Sequence, residues 1–253
     1  MLRCESVPFV AAARSPGEAF SVGGISVYWQ GVLLAAAILV AILITRLETG
    51  RKQLPKDTTV DLCLVLIPSG ILGARLWHVL ANYAYYAGDF FGILRFWDGG
   101  LAIHGAVVFA ALGLFVYALK TKIPLPRLLD ALTPGLTAAL AIVLWNDFFN
   151  QSGYGAEVVD AAQMWFPLAV LIARTDTIHY AVFFYEFLWC ALTFGFVWFF
   201  VRKRERRDGG VFLWATQLYC AGHVVVNAQR GAYAAPAGSF SLVLAVCSAA
   251  ATS

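Results

Sequence analysis

The sequence predicts an all-α integral membrane protein with six or seven transmembrane helices and short amphipathic helices in its outer loops. Three observations carry that expectation. Of 253 residues, 60% are hydrophobic and only 13% are Asp, Glu, Lys or Arg, about half of the ~25% usual in soluble domains. Apolar runs long enough to cross a hydrocarbon core of ~30 Å recur along the chain, and mean hydropathy is +0.74. The basic residues gather in alternate connections between those runs. So few charges cannot coat a 27.5 kDa globule, which argues against a soluble enzyme, a nucleic-acid-binding module and a disordered chain.

The spans follow in order. Residues 27–45, 59–82, 101–119, 131–149, 180–201 and 211–228 are six of them, and the shorter run 238–252 is a possible seventh. Twelve of the 18 basic residues lie in three alternate loops: 46–58 with Arg46, Arg51, Lys52 and Lys56; 120–129 with Lys120, Lys122 and Arg127; and 202–209 with Arg202, Lys203, Arg204, Arg206 and Arg207. Positive loops stay on the cytoplasmic side. That places the N-terminal segment 1–26 and the loops 83–98 and 150–179 outside, the two loops as short amphipathic or re-entrant pieces along the membrane surface. Residues 1–253 read as a single polytopic domain. Residues 1–20 do not resemble a cleaved signal peptide. The five cysteines are scattered without a CxxC pair, so neither a disulfide framework nor a zinc site is indicated.

Ionisable groups inside a span cost about 2.5–3.5 kcal/mol each on insertion scales, so they mark candidate function. Arg75, His104, Asp147, Glu186 and His223 are such groups. Arg75 and Glu186 have pairing as their alternative explanation, and His78 and His179, near span ends, read as hydrogen-bonded packing residues. His104 stands in the run Asp98-Gly99-Gly100-Leu101-Ala102-Ile103-His104-Gly105-Ala106, about one turn into its span. The glycines allow close approach by backbone or ligand, and imidazole accepts a proton near neutral pH. A second group runs from Trp145 through Asn146, Asp147, Asn150, Gln151 and Ser152 to Gly153-Tyr154-Gly155. It marks either a polar pocket at the bilayer edge or an ordinary helix end. A third is Gln217, Tyr219, His223 and Asn227, of which the last three step by four along one helix face, which suits a wet cavity or interhelical hydrogen bonding.

In this order the segments resemble the prolipoprotein diacylglyceryl transferase family, from about residue 20 to 230. The strand-like entry Phe20–Trp29, the Gly-Ala-Arg of Gly73–Arg75, the Gly99-Gly100-Leu101-Ala102-Ile103-His104-Gly105 run, Asp130 with Pro134, Tyr185-Glu186, and Gly209-Gly210-Val211-Phe212 followed by Tyr219 carry the likeness. The resemblance implies a bacterial cytoplasmic-membrane enzyme, multi-pass, with its N-terminus outside. Its partners are phosphatidylglycerol and the signal-peptide region of a prolipoprotein. It implies transfer of a diacylglyceryl group from phosphatidylglycerol to a lipobox cysteine thiol, with His104 as base and Tyr219 as hydrogen-bond donor. Gly105, Asp147, Asn150, Gly155, His223 and Arg75 are the implied lipid- and substrate-binding residues. No cofactor, metal, nucleic acid or homo-oligomer is indicated.

The chain departs from the family pattern at several positions. Against G-R-x-G-N-F-x-N-x-E-x-x-G it has Leu144 for the arginine, Asp147 for the first asparagine and Ser152 for the glutamate; Phe148, Asn150 and Gly155 match. In the last helix His223 and Asn227 stand where the family has arginine and glutamate, and Gln30 replaces the tyrosine of W-Y-G. Arginine presents a rigid five-donor fork to phosphate. Its loss leaves three readings: an active transferase whose anion site uses His223, Arg75, Arg95 or Arg230; a non-catalytic relative that binds phospholipid or lipoprotein; and an unrelated transporter or scaffold.

Overall fold

The computed structural model describes residues 18–22, 25–86, 92, 100–158, 163–172, 176–205 and 207–227. Arg95, Gly99, Arg230 and the possible span 238–252 lie outside the described residues. A hairpin of β1 (Glu18–Val22) and β2 (Ile25–Tyr28) leads directly into α1 (Trp29–Arg51). Then come α2 (Thr58–Ala81), α3 (Ile103–Thr121) and α4 (Leu125–Val143), the last extended by a turn at Trp145–Asn150. A second antiparallel hairpin pairs β3 (Ala169–Ile172) with β4 (Thr177–Tyr180). Next is α5 (Val182–Phe196), continued by a π-helical turn at Val197–Val201 and by Arg202–Arg204, and finally α6 (Gly210–Asn227). Five of these helices are long and apolar enough to cross a bilayer. The sixth, α6, has 18 residues, about 27 Å at 1.5 Å per residue.

Most helices run past the expected spans into the basic loops. α1 continues to Arg51, and α4 begins at Leu125, inside the expected 120–129 loop. Hydropathy marks where lipid ends, whereas backbone hydrogen bonding continues the helix into water. A single turn at Tyr83–Tyr86 falls in the expected 83–98 loop, and a second, Trp145–Asn150, ends the expected span 131–149. The 150–179 stretch departs from expectation, because its regular structure is the β3–β4 hairpin. The β-branched and aliphatic run Ala169–Ile172 alternates its sides. Val170 and Ile172 pack with Ala181, Phe183 and Phe148, while Ala169 and Leu171 pack with Val158 and Ile178.

The described chain forms two compact units, one of Thr45–Ala131 and one of the residues up to Ile44 and from Leu132 onward. Within the first, α2 and α3 pack against each other through small residues. A Cβ on Gly73 would lie 2.5 Å from the Gly105 carbonyl oxygen, and one on Gly105 would lie 2.2 Å from the Gly73 oxygen. At the opposite end of this helix pair the polar groups are matched. Lys52 pairs with Asp130 at 2.5 Å, Arg51 with Glu48 at 2.7 Å, and Thr49 with Thr59 at 2.9 Å; the Tyr117 hydroxyl donates to Asp61. Two of the basic loop residues tie helix ends, Lys52 through Asp130 and Arg127 by donating to the Lys52 carbonyl.

In the other unit the buried stripe of α5 is Phe183, Glu186, Cys190, Thr193 and Val197, the three-and-four spacing of one helix face. Trp145 stands at the centre of an aromatic cluster with Phe148, Phe183, Phe184 and Phe187, and Trp29 stacks on Phe149 at 4.9 Å.

Replacing Gly105 by Ala should force α2 and α3 apart. Overpacking of this kind costs about 1–3 kcal/mol. A thermal unfolding scan of the detergent-solubilised protein is expected to show a clear fall in midpoint, whereas Gly31→Ala, where a Cβ would meet nothing within 4 Å, leaves it unchanged.

Candidate active site

His104 is the second residue of α3 and is exposed. It therefore starts the helix rather than lying a full turn inside the span. The chain reaches it through a braced approach. The amide of Ala102 donates to the Ala74 carbonyl at 3.0 Å, a backbone bond between the two helices that the Gly73–Gly105 contact permits. The guanidinium of Arg75, 9% exposed, donates to the carbonyls of Gly92 at 2.6 Å and Gly100 at 3.1 Å and faces the Tyr86 ring. Gly100 has φ +73°, and a Cβ there would meet His78 Nε2 at 2.6 Å. These contacts give two of the expected site residues a structural part. Gly105 packs against the α2 backbone, where a side chain would not fit. Arg75 holds the segment that leads into His104.

The second group forms the turn after Trp145–Asn150. Ser152 Oγ donates to Asp147 Oδ1 at 2.8 Å, and the Ser152 amide donates to the Asp147 carbonyl at 2.9 Å. Gln151 (φ +49°) and Gly153 (φ +63°) take the left-handed turns this closure requires, and a Cβ on Gly153 would sit 2.1 Å from Asp147 Oδ2. Two departures from the family pattern, at 147 and 152, are thus hydrogen-bonded to each other. The carboxylate that the pattern places at 152 stands here at its partner position. Asn150 is exposed. Gly155 is built into the hairpin region: its amide donates to the Tyr180 carbonyl at 2.8 Å and its carbonyl lies 2.9 Å from His179 Nδ1. A carbonyl only accepts, so that nitrogen carries the hydrogen, and in the neutral ring Thr177 Oγ1 donates to Nε2 at 2.9 Å. His179 is a packing residue, as expected.

The third group lies between α5 and α6. Glu186, 7% exposed, places Oε1 3.3 Å from His223 Nδ1, and the His223 and Tyr219 rings are stacked at 5.6 Å with 16° between planes. Glu186 pairs with this histidine, a partner the sequence does not point to; the visible signal was an acid alone in an aromatic span. The helices are held close here by Trp189, whose Nε1 donates to the Leu218 carbonyl at 2.7 Å, and by Gly222, where a Cβ would lie 1.9 Å from Trp189 Nε1. An apolar cavity of about 380 Å³ is lined by Leu168, Tyr180, Tyr185, Val225 and Val226; His104 is not among its lining residues. The Asn227 side chain lies outside the described residues. Among the described residues no three His, Cys, Asp or Glu side chains are grouped to hold a metal ion.

Comparison with known proteins adds the following. The family model described as prolipoprotein diacylglyceryl transferase matches residues 17–252. A phosphatidylglycerol–prolipoprotein diacylglyceryl transferase of Listeria innocua serovar 6a is 33% identical over 216 residues, 84% of this chain and 78% of that protein. The protein of the same name from Listeria welshimeri serovar 6b is 32% identical over the same shares. That of Streptococcus equi subsp. zooepidemicus is 29% identical over 215 residues, 84% of this chain and 82% of the other.

The Asp147–Ser152 bond should be measurable as coupling. Asp147→Asn and Ser152→Ala are each expected to destabilise the protein, and the double variant by less than their sum. The interaction energy is expected within the range of about 0.5–3 kcal/mol found for residues in contact. A double-mutant cycle of unfolding in detergent reads it; strict additivity would remove the bond from the account.

Proposed function

The chain belongs to the prolipoprotein diacylglyceryl transferase family, and from that premise we propose that it moves a diacylglyceryl group from phosphatidylglycerol to the lipobox cysteine thiol of a prolipoprotein. It does so in the bacterial cytoplasmic membrane, as a single polytopic domain with its N-terminus outside. The match across residues 17–252 carries this reading; the retained His104 and Tyr219 support it.

The chemistry is a displacement. A cysteine thiol, with an ordinary pKa of about 8.5, gives up its proton. Its sulfur bonds to the glycerol carbon that carries the phosphate, and the carbon–oxygen bond breaks. Glycerol phosphate departs with the electron pair. His104, at the head of α3, takes the thiol proton. Tyr219 donates a hydrogen bond to the phosphate or glycerol, and His223 and Asp147 with Asn150 and Gly155 contribute polar contacts to the lipid and peptide. Arg75 supports His104 through the Gly100 carbonyl.

A second reading has its own observation. Leu144 occupies one arginine position of the family pattern and His223 the other. Loss of a single preorganised donor costs about 10²–10³ in rate in studied enzymes. A chain that binds phospholipid or lipoprotein without turnover would satisfy both the match and the losses.

The deciding experiment uses the full chain in membranes containing phosphatidylglycerol, with a lipobox peptide. A thioether-linked diacylglyceryl peptide detected by mass is the expected product, and His104→Ala is expected to slow its formation by about 10²–10⁴, the usual weight of a general base. No product at any pH or lipid content would reject turnover. Rescue of cells that lack their own enzyme would dispose of the non-catalytic reading.

A further inference from the structure

An acid buried in an apolar helix needs a reason. Glu186 is the acidic member of the α5 stripe, with Phe183, Cys190, Thr193 and Val197 as its buried neighbours along the helix. Its partner is His223 Nδ1 on α6 at 3.3 Å, and that imidazole lies flat against Tyr219, one turn earlier on the same face. The contact at Nδ1 is an electrostatic approach without hydrogen-bond geometry, and it sets the acid of α5 against the ring of α6.

Helix adhesion does not require this pair. The same two helices are already joined by the Trp189 indole on the Leu218 carbonyl and by the slot at Gly222. Interhelical hydrogen bonding in a membrane needs only an amide or a hydroxyl, and a buried ion pair loses in desolvation much of what it gains in attraction. Close to the pair in sequence, Tyr185 and Val226 line the apolar cavity of about 380 Å³.

We propose that Glu186 is a positioning residue: it holds the His223 imidazole against Tyr219 so that the two rings together meet the phosphate headgroup of an anionic phospholipid. The proposal rests on the reading of the chain as a protein that handles phosphatidylglycerol, and it assigns Glu186 a role through His223, not contact with lipid.

The test exchanges the partners. The full chain is purified in detergent as wild type, as Glu186→Gln, as Glu186→Asp, and as the exchange Glu186→His with His223→Glu. Each is measured for unfolding midpoint, for phosphatidylglycerol binding by native mass spectrometry against phosphatidylcholine, and for kcat and KM of transfer. The exchange keeps an acid–imidazole pair between the helices but moves the imidazole off Tyr219. It should unfold within a few degrees of wild type, yet bind phosphatidylglycerol at least tenfold more weakly, with the loss in KM exceeding that in kcat. Glu186→Gln should lose binding to a similar degree and Glu186→Asp should keep most of it. Should the exchange variant fail to fold, that Gln–Asp contrast decides, and equal effects of the two overturn the proposal. Wild-type binding by the exchange variant overturns it as well, since the pair would then only join helices. A wild type that binds phosphatidylglycerol without transferring it removes the transferase reading and leaves this one to the binding data. A wild type that shows no preference for phosphatidylglycerol over phosphatidylcholine defeats it.

Discussion

Backbone contact between α2 and α3 at Gly73 and Gly105 is the constraint from which the His104 end of the protein follows. In lipid, two apolar helices gain little by hiding from their solvent, so association depends on close fit and on polar bonds. Only the absence of two side chains brings these backbones together. The nearness lets the Ala102 amide reach the Ala74 carbonyl and brings the carbonyl of Gly100 within reach of the Arg75 guanidinium. Three contacts thus fix the chain just ahead of a histidine that is itself exposed. The glycine pattern and the histidine belong to one device: the first sets the approach, the second stands at its end.

The same economy governs charge elsewhere. Among the described residues, each acid in an apolar helix has an answering group. Glu48 has Arg51, Asp61 has Tyr117, Asp130 has Lys52, Asp147 has Ser152, and Glu186 has His223. Some partners are on a neighbouring helix, and one is five residues along the same turn. Unanswered polar groups are expensive in hydrocarbon, so the positions of acids and donors are chosen together. The 147–152 turn illustrates the consequence for divergence. Here a carboxylate at 147 accepts from the hydroxyl at 152, and that bond closes the turn.

Membership of a transferase family frames what this arrangement has to do, while the missing arginines define what is unusual about it. Guanidinium binds phosphate with a flat, permanently charged fork. Imidazole offers a smaller donor whose aim depends on what fixes its other nitrogen. That is why the surroundings of His223 matter more here than the surroundings of an arginine would. A carboxylate and a phenol ring both lie against the imidazole; an arginine carries its binding geometry in its own plane.

Much of the architecture was legible without coordinates. Long apolar runs, a low charge count and basic loops are properties of composition and order, and they specify membrane helices because bilayer thickness imposes a length on any chain that crosses it. The β3–β4 hairpin escaped that reading. Its Ala169–Ile172 run is apolar enough to suggest helix or surface segment, and its pairing with Thr177–Tyr180 is a partner choice, not a composition. The candidate residues divide in the same way. His104, Tyr219, His223 and Glu186 stand out in a one-dimensional sequence because polar side chains in oil are conspicuous. That Gly105 packs against the α2 backbone, that Arg75 braces carbonyls, and that Glu186 turns toward His223 was decided only by tertiary structure, since each depends on which distant backbone or side chain comes within 2–4 Å, and a sequence carries no such distance.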